Sequence, residues 1–565
     1  MNISFMEMII MKKLISLLLA AVLLLCALAP ASAAAVGQEA LPIIFIRGNG
    51  EALYDPDGNR IVADFESLFS ADDSDGLDAG TIIESCANVL LPFVTEGLLF
   101  NKWDNYGKAL YEEIAPLFEK GHLDGNGNPM YGTGVSPEVL AASEAAALYD
   151  FGEDGYFDLY NYQFCFDWRL SPYDHVDRLH TYIQTVMQTT GCDQVCIVAR
   201  CLGGSLLTAY LEKYGSLGHV KNAMYCEVLS NGTSTISHAF SGKLCFDDDA
   251  LQRYLGQMTH CGESGVGMGF TLGDVANEII FATIDMLNQG GFTDMLLFSV
   301  EQLYGRMYEA LIPALLAAVG MTTQVNYWTC VYEEDFDEAL TLIYGDENDP
   351  RRVENAGQIA KIEYYREHVT SRLPELYRIF SEEYGIHIGF TAKYGYVNAP
   401  YGPALNDMSD SLVSVKDAAY GATCADAHKT LSADYLEARI AEGYGEFLSA
   451  DGKVDVSTCM FPATTWVVKN AHHDYFKDFN YHLATDFCRS TGMTVSNNTD
   501  YPQFVAFNEA DGTWEALTAD NCPDFEWIHA AQEQPTFITR IRSVFTWLKL
   551  IFSWLFSEIK SAFSK

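Results

Sequence analysis

An alternation of short apolar runs with helical patterns, in the first half of the chain, is the feature that most limits the possible folds. Two continuous apolar runs, at 41–46 and 195–199, have the composition of strands buried on both faces of a parallel sheet. Apolar residues at helical spacing precede and follow the second run, and a third apolar run extends from Ala223 to Leu229. This order of strands and helices predicts a doubly wound α/β sheet.

The alternation stops at about Ile236, and the pattern of residues 236–380 is mostly helical and apolar. Because this segment is too long for a simple crossover, we interpret it as an inserted helical cap. Strand-like runs return at 386–390 and 466–468, and residues 504–517 alternate as in a hairpin. The predicted domains are a signal peptide at 1–33, a core in two parts at 40–235 and 381–535 with the cap between them, and a C-terminal amphipathic helix at 536–565.

The N-terminal residues have the pattern of an export signal. A positive segment, Met11-Lys12-Lys13, precedes an apolar run from Leu14 to Leu28, and Ala31-Ser32-Ala33 has the small residues of a cleavage site. The apolar run is shorter than the roughly 20 residues that span a bilayer. We therefore expect a secreted or extracellular protein.

The charge of the chain limits its partners. The formal net charge is −42, so the protein is expected to repel nucleic acid. Residues 536–565 differ, because they carry five basic side chains and one acidic side chain in a helical, aromatic-rich pattern. Such helices bind the membrane interface, so we expect this one to associate with a membrane surface. The alternative is a helix packed on the protein's own acidic body.

No cofactor or metal site is predicted. Asp72, Asp73, Asp75 and Asp78 offer oxygen ligands for Ca²⁺, but the loop lacks the closing Glu of an EF-hand, which favours a solvated acidic loop. The 14 cysteines have neither zinc-ligand spacing nor the dense spacing of a disulfide framework. Most are expected to be small buried residues, with a disulfide or two possible after export.

Cys201 is the exception among the cysteines, because it occupies the nucleophile position of a strand–turn–helix motif. The sequence Ala199-Arg200-Cys201-Leu202-Gly203 follows an apolar run and begins a helix, with small residues two positions before and after the cysteine. The positive end of the helix and the Leu202 N–H would face the sulfur and favour the thiolate. The alternative is a buried cysteine in an inactive relative that has lost its serine.

An acid and a base are expected later in the chain, in that order. Asp407 and Asp410 follow the strand-like run at 386–390 and are both candidates for the acid. His472 and His473 follow the run at 466–468, and we prefer His473 as the base, with His472 as the alternative. His482 is a more distant candidate.

Three motifs together resemble the α/β-hydrolases of the lecithin:cholesterol acyltransferase and bacterial lipase kind. They are Phe45–Gly50, Phe166–Arg169 followed by Pro172, and Ala199–Gly204. The resemblance covers about residues 40–500 and implies an α/β-hydrolase fold. It favours Asp410 over Asp407, because Leu412-Val413 resembles the family's acid loop. It also implies an oxyanion hole formed by the backbone N–H groups of Asn49 and Leu202, each contributing roughly 3–4 kcal/mol.

Two positions depart from the family. Arg200 stands where these lipases usually carry histidine, and Cys201 stands where they carry serine. The sequence from Cys201 to Leu207 is also similar to the cysteine lipase box of polyhydroxyalkanoate synthases, which are intracellular. We therefore expect a hydrolase or acyltransferase that uses Cys201, Asp410 and His473 on an ester or thioester, with a lipid-like acyl group implied by the resemblance. The alternative is a non-catalytic protein that binds lipid or another surface.

Overall fold

The computed structural model describes residues 41–48, 52–63, 88–89, 92–98, 100–145, 162–245, 247–264, 300–475, 479–510, 512–529 and 549. The chain divides into the unit Met1–Leu41 and the unit Pro42–Lys565, and the described residues from Pro42 onward belong to the second. Several predicted features lie outside the described residues: the signal peptide, the acidic loop at 72–78, the oxyanion donor Asn49, cap residues 265–299 and all of the C-terminal helix except Lys549.

The centre of the second unit is a sheet of eight strands. Its order is β8-β7-β6-β5-β4-β3-β1-β2, and all neighbours are parallel except β7 and β8. The strands are β1 Ile43–Ile46, β2 Tyr162–Gln163, β3 Val195–Arg200, β4 Val220–Cys226, β5 His387–Tyr394, β6 Thr465–Lys469, β7 Phe504–Asn508 and β8 Thr513–Ala516. Since β1, β3 and most of β4 to β7 are buried along their length, the sheet is covered on both faces.

Helices connect and cover the strands. The helices are α1 Asp104–Phe118, α2 Pro137–Glu144, α3 Val176–Thr190, α4 Gly203–Tyr214, α5 Ser234–Ser241, α6 Asp248–Ser264, α7 Val300–Val319, α8 Phe336–Tyr344, α9 Pro350–Glu354, α10 Ala356–His368, α11 Leu373–Arg378, α12 Val415–Ala418, α13 Ala433–Ala441, α14 Phe479–Arg489 and α15 Glu526–His529. Among the described residues, no helix is long and apolar enough to cross a membrane.

The two helices that flank β3 follow from the sequence pattern. Helix α3 buries an apolar stripe that includes Leu179, Ile183 and Val186, and it ends at Gly191, which adopts a left-handed conformation with φ of 74°. Helix α4 begins directly after the β3 turn and is buried from Gly203 to Leu211. Both helices pack on β3 and on each other. The residue after β3 is thereby held between a strand end and a helix start.

The described residues between β4 and β5 are mostly helical, and they supply helices α5 to α11 without a sheet strand. Helix α7 packs against α1 through an apolar contact around Trp103, Tyr106 and Leu110. Gly107 allows this close approach, because a Cβ there would lie 3.0 Å from the Ala310 carbonyl oxygen. A segment between β1 and β2 thus packs on the helices that follow β4. That the helices after β4 form a lid stays a prediction.

The predicted strand positions differ from the observed ones in two places. The third apolar run was expected at 223–229, but β4 ends at Cys226, because Glu227 adopts a left-handed conformation with φ of 45°. Strand β5 extends beyond the predicted run to Tyr394, and it includes the fully buried Lys393. The predicted hairpin is present as β7 and β8. The mostly parallel sheet with its flanking helices confirms the predicted α/β fold and is consistent with an α/β-hydrolase.

Candidate active site

Cys201 lies in the turn that joins β3 to α4. Its backbone has φ of 53°, a left-handed conformation that is costly for a residue with a side chain. Backbone hydrogen bonds hold it there: its N–H donates to the Cys226 carbonyl at 3.2 Å, and its own carbonyl accepts from Leu229 N–H at 3.3 Å. This is the strained strand-to-helix turn that exposes a nucleophile in α/β-hydrolases.

Glycines around Cys201 allow the backbone segments to approach closely. A Cβ on Gly203 would lie 2.4 Å from the Ile46 carbonyl oxygen, and one on Gly204 would lie 2.6 Å from the Val228 side chain. A Cβ on Gly48 would lie 2.7 Å from the Cys201 Cβ and 3.1 Å from the Leu202 nitrogen. The loop after β1 therefore approaches the cysteine and the predicted oxyanion donor Leu202. Asn49, the second predicted donor, follows Gly48 but lies outside the described residues.

Asp410 and His473 contact each other directly. The Nδ1 atom of His473 lies 2.7 Å from Oδ2 of Asp410, and the His473 backbone N–H donates to the Asp410 carbonyl at 2.8 Å. The other carboxylate oxygen accepts hydrogen bonds from the N–H groups of Leu412 at 3.0 Å and Val413 at 2.8 Å. The Asp410 carboxylate is also fully buried, and both of its oxygens have hydrogen-bond partners. Because the carboxylate is held in this way, it fixes the orientation of the imidazole.

Cys201 lies near enough to His473 to affect the pKa of its imidazole. Burial acts to lower the pKa of His473, but the charge of Asp410, the charge of an ionised Cys201 and the hydrogen bond to Asp410 raise it to about 10. For Asp410, burial acts to raise the pKa, and the charge and hydrogen bond of His473 and the Val413 N–H lower it below its usual value. Both shifts favour the charged forms, a carboxylate beside an imidazolium.

The ring nitrogen of His473 that does not contact Asp410 is its Nε2 atom. Nε2 of His473 is buried and has no hydrogen-bond partner in the described part of the chain. Contacts between a nucleophile and its base are often long without substrate and shorten when it binds. The structure therefore brings Cys201, His473 and Asp410 together in one cluster.

The alternative acid and bases have other partners. Asp407 forms an ion pair with Lys416. His472 points to Ser411, with its Nε2 2.7 Å from the Ser411 Oγ, while its Nδ1 accepts the Asp474 N–H at 3.3 Å. The same Nδ1 lies 3.5 Å from a carboxylate oxygen of Asp474, so both ring nitrogens of His472 are engaged with Ser411 and Asp474. His482 lies on α14, partly buried.

Twelve of the fourteen cysteines are among the described residues, and all twelve are free. Nine of them are buried, and the eight other than Cys201 agree with the interpretation as small buried residues. Burial strongly raises the pKa of several of these thiols, among them Cys226 and Cys330, which disfavours the reactive thiolate form. Within the described residues, no group of three or more His, Cys, Asp or Glu side chains is arranged to hold a metal ion.

A cavity of about 720 Å³ is lined by residues outside this cluster. Its walls include Lys453 and Lys469, whose ammonium groups each lie 2.8 Å from a carboxylate oxygen of Asp524. Lys469 also pairs with Asp451 at 2.9 Å. These buried charges neutralise one another. Their ion pairs join the residues near Asp524 to strand β6.

Gly48 and the buried charges Glu227 and Lys393 were not among the sequence candidates. Gly48 lies inside a quoted motif, and its role follows only from the contact with Cys201. A sequence signal did exist for the charges, since lysine is rare in the middle of a fully buried strand and glutamate is rare directly after one. Neither charged residue is predicted when strand ends are taken from apolar runs alone.

Comparisons with known proteins add little to this geometry. No family profile matches the chain, and no curated protein matches it. A search of solved structures finds similarity to the structure titled "The crystal structure of Tle4-Tli4 complex", with 14% sequence identity, a TM-score of 0.23, and coverage of 62% of this chain and 75% of that chain. Since similarity at this level does not bear on function, function has to be argued from the site.

Proposed function

We propose that this protein is an exported α/β-hydrolase that cleaves an ester or thioester through a covalent intermediate on Cys201. The observation that carries the proposal is the cluster itself. A cysteine in the strained turn after β3 lies near enough to a histidine to raise its pKa, and the Nδ1 of that histidine is 2.7 Å from a buried carboxylate. An activated nucleophile, a base and a group that orients the base are the parts that acyl transfer requires.

In the first half of the reaction, the Cys201 thiolate attacks the acyl carbon and forms a C–S bond. The carbonyl electron pair moves to oxygen, where the Leu202 N–H, at the start of α4, stabilises the negative charge together with a donor from the loop after Gly48. When this pair returns, the bond to the leaving alcohol or thiol breaks. The imidazolium of His473 gives its Nε2 proton to the leaving group, and an acyl-enzyme remains.

In the second half, neutral His473 accepts a proton from water, and the oxygen attacks the thioester carbon. Collapse of this intermediate breaks the C–S bond and releases the carboxylic acid, and the thiolate and imidazolium are restored. Asp410 keeps the imidazole in the tautomer with the proton on Nδ1 and stabilises its positive charge in both halves. An alcohol or thiol in place of water would make the same cycle an acyl transfer.

The acyl group and the location are further parts of the proposal. The apolar pattern of residues 236–380 supports a lipid-like acyl chain, and the N-terminal pattern supports export. The basic aromatic pattern at 536–565 supports contact with a membrane surface, where such substrates concentrate. These parts rest on sequence, whereas the chemistry rests on the cluster.

The test is turnover of short-chain and long-chain p-nitrophenyl esters by the mature protein beside Cys201→Ala. Cys459→Ala is the matched control, because Cys459 is 7% exposed and Cys201 is 6% exposed. We expect release of p-nitrophenol by the wild type and the control but not by Cys201→Ala. Absence of turnover in a folded wild type would contradict the proposal and favour a binding protein. Added alcohols that intercept the acyl-enzyme would identify a transferase.

A further inference from the structure

A pair of opposite charges is fully buried beneath the His473 loop. Glu227 and Lys393 are both 0% exposed, and the Lys393 Nζ lies 3.3 Å from Oε2 of Glu227. The other carboxylate oxygen of Glu227 accepts the Thr391 hydroxyl at 2.8 Å. Glu227 comes directly after β4, and Lys393 lies near the end of the neighbouring strand β5. Both charges are therefore at the carboxyl edge of the sheet, the edge that carries Cys201.

These charges reach the catalytic loop through its backbone. The Lys393 ammonium donates to the Tyr475 carbonyl at 2.7 Å and approaches the His473 carbonyl at 3.5 Å. The guanidinium of Arg200, the residue before Cys201, also donates to the His473 carbonyl. One peptide oxygen of the catalytic histidine is thus contacted by two cations from two different strands.

If the Glu227–Lys393 ion pair served stability alone, it would be an energetically unfavourable choice. A buried ion pair is stabilised by mutual attraction but loses the hydration of both ions, so apolar side chains of similar size often give equal or greater stability. The sheet around Lys393 offers such an environment, since β5 is otherwise buried and largely apolar. Glu227 also adopts an unfavourable left-handed conformation with φ of 45°. Such features occur most often where a precise arrangement of a site is needed.

We propose that Lys393, Arg200 and Glu227 are positioning residues that hold the His473 backbone so that its ring meets both Asp410 and Cys201. The backbone of His473 is held on both sides, because its N–H donates to the Asp410 carbonyl at 2.8 Å while the two cations bind its carbonyl. Glu227 balances the positive charge and orients Lys393. The inference rests on the proposed function and assigns a role to Arg200, which occupies the position where similar lipases carry histidine.

The test compares variants of the mature protein that keep or remove the contacts to His473. The double variant Glu227→Gln/Lys393→Met removes both charges together, so that neither is left buried alone. Arg200→Met removes the other contact, and Arg200→Lys keeps a cationic donor. Lys453→Met is the matched control, because Lys453 is also buried and paired with a carboxylate but lines the cavity of about 720 Å³.

Two readouts separate positioning from general destabilisation. They are kcat and KM for a p-nitrophenyl ester, and the rate at which iodoacetamide labels Cys201 in the folded protein at neutral pH. For the double variant and Arg200→Met we expect kcat and the labelling rate to fall between about tenfold and a hundredfold with KM nearly unchanged. Arg200→Lys should restore most of both values, and Lys453→Met should resemble the wild type.

The outcomes distinguish this inference from the proposed function. If His473→Ala slows labelling of Cys201 while the double variant and Arg200→Met behave like the wild type, the positioning role is wrong and the proposed function stands. If the wild type neither cleaves esters nor is labelled faster than His473→Ala, the proposed function fails and the positioning role fails with it. If the double variant does not fold, Arg200→Met and Arg200→Lys decide, and equal loss in both overturns the inference.

Discussion

Asp410 is the residue whose role can be tested by the smallest chemical change. Asp410→Asn keeps the size of the side chain but removes its charge, and the amide nitrogen cannot accept the proton on Nδ1 of His473. We expect kcat for a p-nitrophenyl ester to fall by about a hundredfold to ten-thousandfold, because the imidazole loses its orientation and its stabilising charge. Steady-state kinetics and the thermal midpoint measured together would show whether the loss is catalytic.

Asp407→Asn is the control for this prediction. Asp407 precedes Asp410 by three residues and pairs with Lys416, so the same substitution changes the same loop without touching His473. We expect nearly full activity, with a loss of stability of at most about 1 kcal/mol. Equal loss of activity in both variants would show that the loop tolerates neither change and would remove the evidence for Asp410 as the acid.

The charge state of His473 predicts how stability depends on pH. Its pKa in the folded protein is about 10, above the roughly 6.5 of an unfolded histidine. The stabilisation is therefore fully present below about pH 6.5 and is lost as pH rises through about 10. We expect the thermal midpoint of the wild type to fall more steeply across this interval than that of His473→Gln. Parallel curves for the two proteins would contradict a charged pair in the fold.

Cys201→Ala refines this comparison. The raised pKa of His473 depends partly on the charge of Cys201, after the larger contributions of burial and Asp410. Without the thiolate, the stabilising interval should end at a lower pH while Asp410 still holds the imidazolium. The same scan of thermal midpoint against pH therefore separates the contribution of Cys201 to the pKa of His473 from the contribution of Asp410.

At the scale of elements, apolar runs predict the buried parallel strands well, and strand ends poorly. Strand β3 and helix α3 lie close to their predicted positions, because their patterns are uninterrupted and Gly191 ends the helix. The end of β4 depends on Glu227, and the full length of β5 depends on Lys393, and these two charges pair with each other across neighbouring strands. A pattern along one segment does not contain that pairing.

The candidate site, too, is predicted well where the sequence pattern is local and poorly where it depends on contacts between distant segments. The motif around Cys201 is local, so the sequence alone predicts its turn. The choice between neighbouring residues, Asp407 or Asp410 and His472 or His473, depends on which side chains meet in space, and their catalytic roles stay predictions. The contact of Gly48 with Cys201 likewise exists only after β1 and β3 pair.

Close packing at the start of α4 predicts a strong effect of Gly203→Ala. The added Cβ would lie 2.4 Å and 2.8 Å from the carbonyl oxygens of Ile46 and Arg47, which are backbone atoms and cannot rotate away. We expect the free energy of unfolding to fall by about 1–3 kcal/mol, in spite of the higher helix propensity of alanine. Urea denaturation monitored by circular dichroism measures the change.

Gly305→Ala in α7 is the matched control, because a Cβ there has no neighbour within 4 Å among the described residues. Helix propensity alone should then act and stabilise the protein by about 0.5–1 kcal/mol. If both variants shift stability in the same direction, close packing at the β3–α4 turn is not the cause.

At the scale of the whole molecule, a strongly acidic body and a basic C-terminal segment predict opposite responses to a membrane. The net charge of −42 repels anionic lipid, whereas residues 536–565 carry a net charge of +4 and regularly spaced aromatic and aliphatic residues. Each basic residue near an anionic surface contributes about 1 kcal/mol to binding, and salt weakens this contribution. If the C-terminal segment mediates binding to anionic vesicles, its five basic residues must attract the lipid while the acidic charge of the rest of the chain repels it.

Sedimentation with phosphatidylserine-containing vesicles tests this, with Arg540→Glu/Arg542→Glu/Lys549→Glu beside the wild type. We expect the variant to bind at least about a hundredfold more weakly at low salt, from the loss of three cations at about 1 kcal/mol each. Lys108→Glu/Lys213→Glu/Lys429→Glu changes the net charge equally at exposed positions of the body, with side chains 71%, 40% and 60% exposed. Equal weakening in both triple variants would mean that overall charge, rather than the C-terminal segment, governs binding. A tail packed on the acidic body would give no binding even in the wild type.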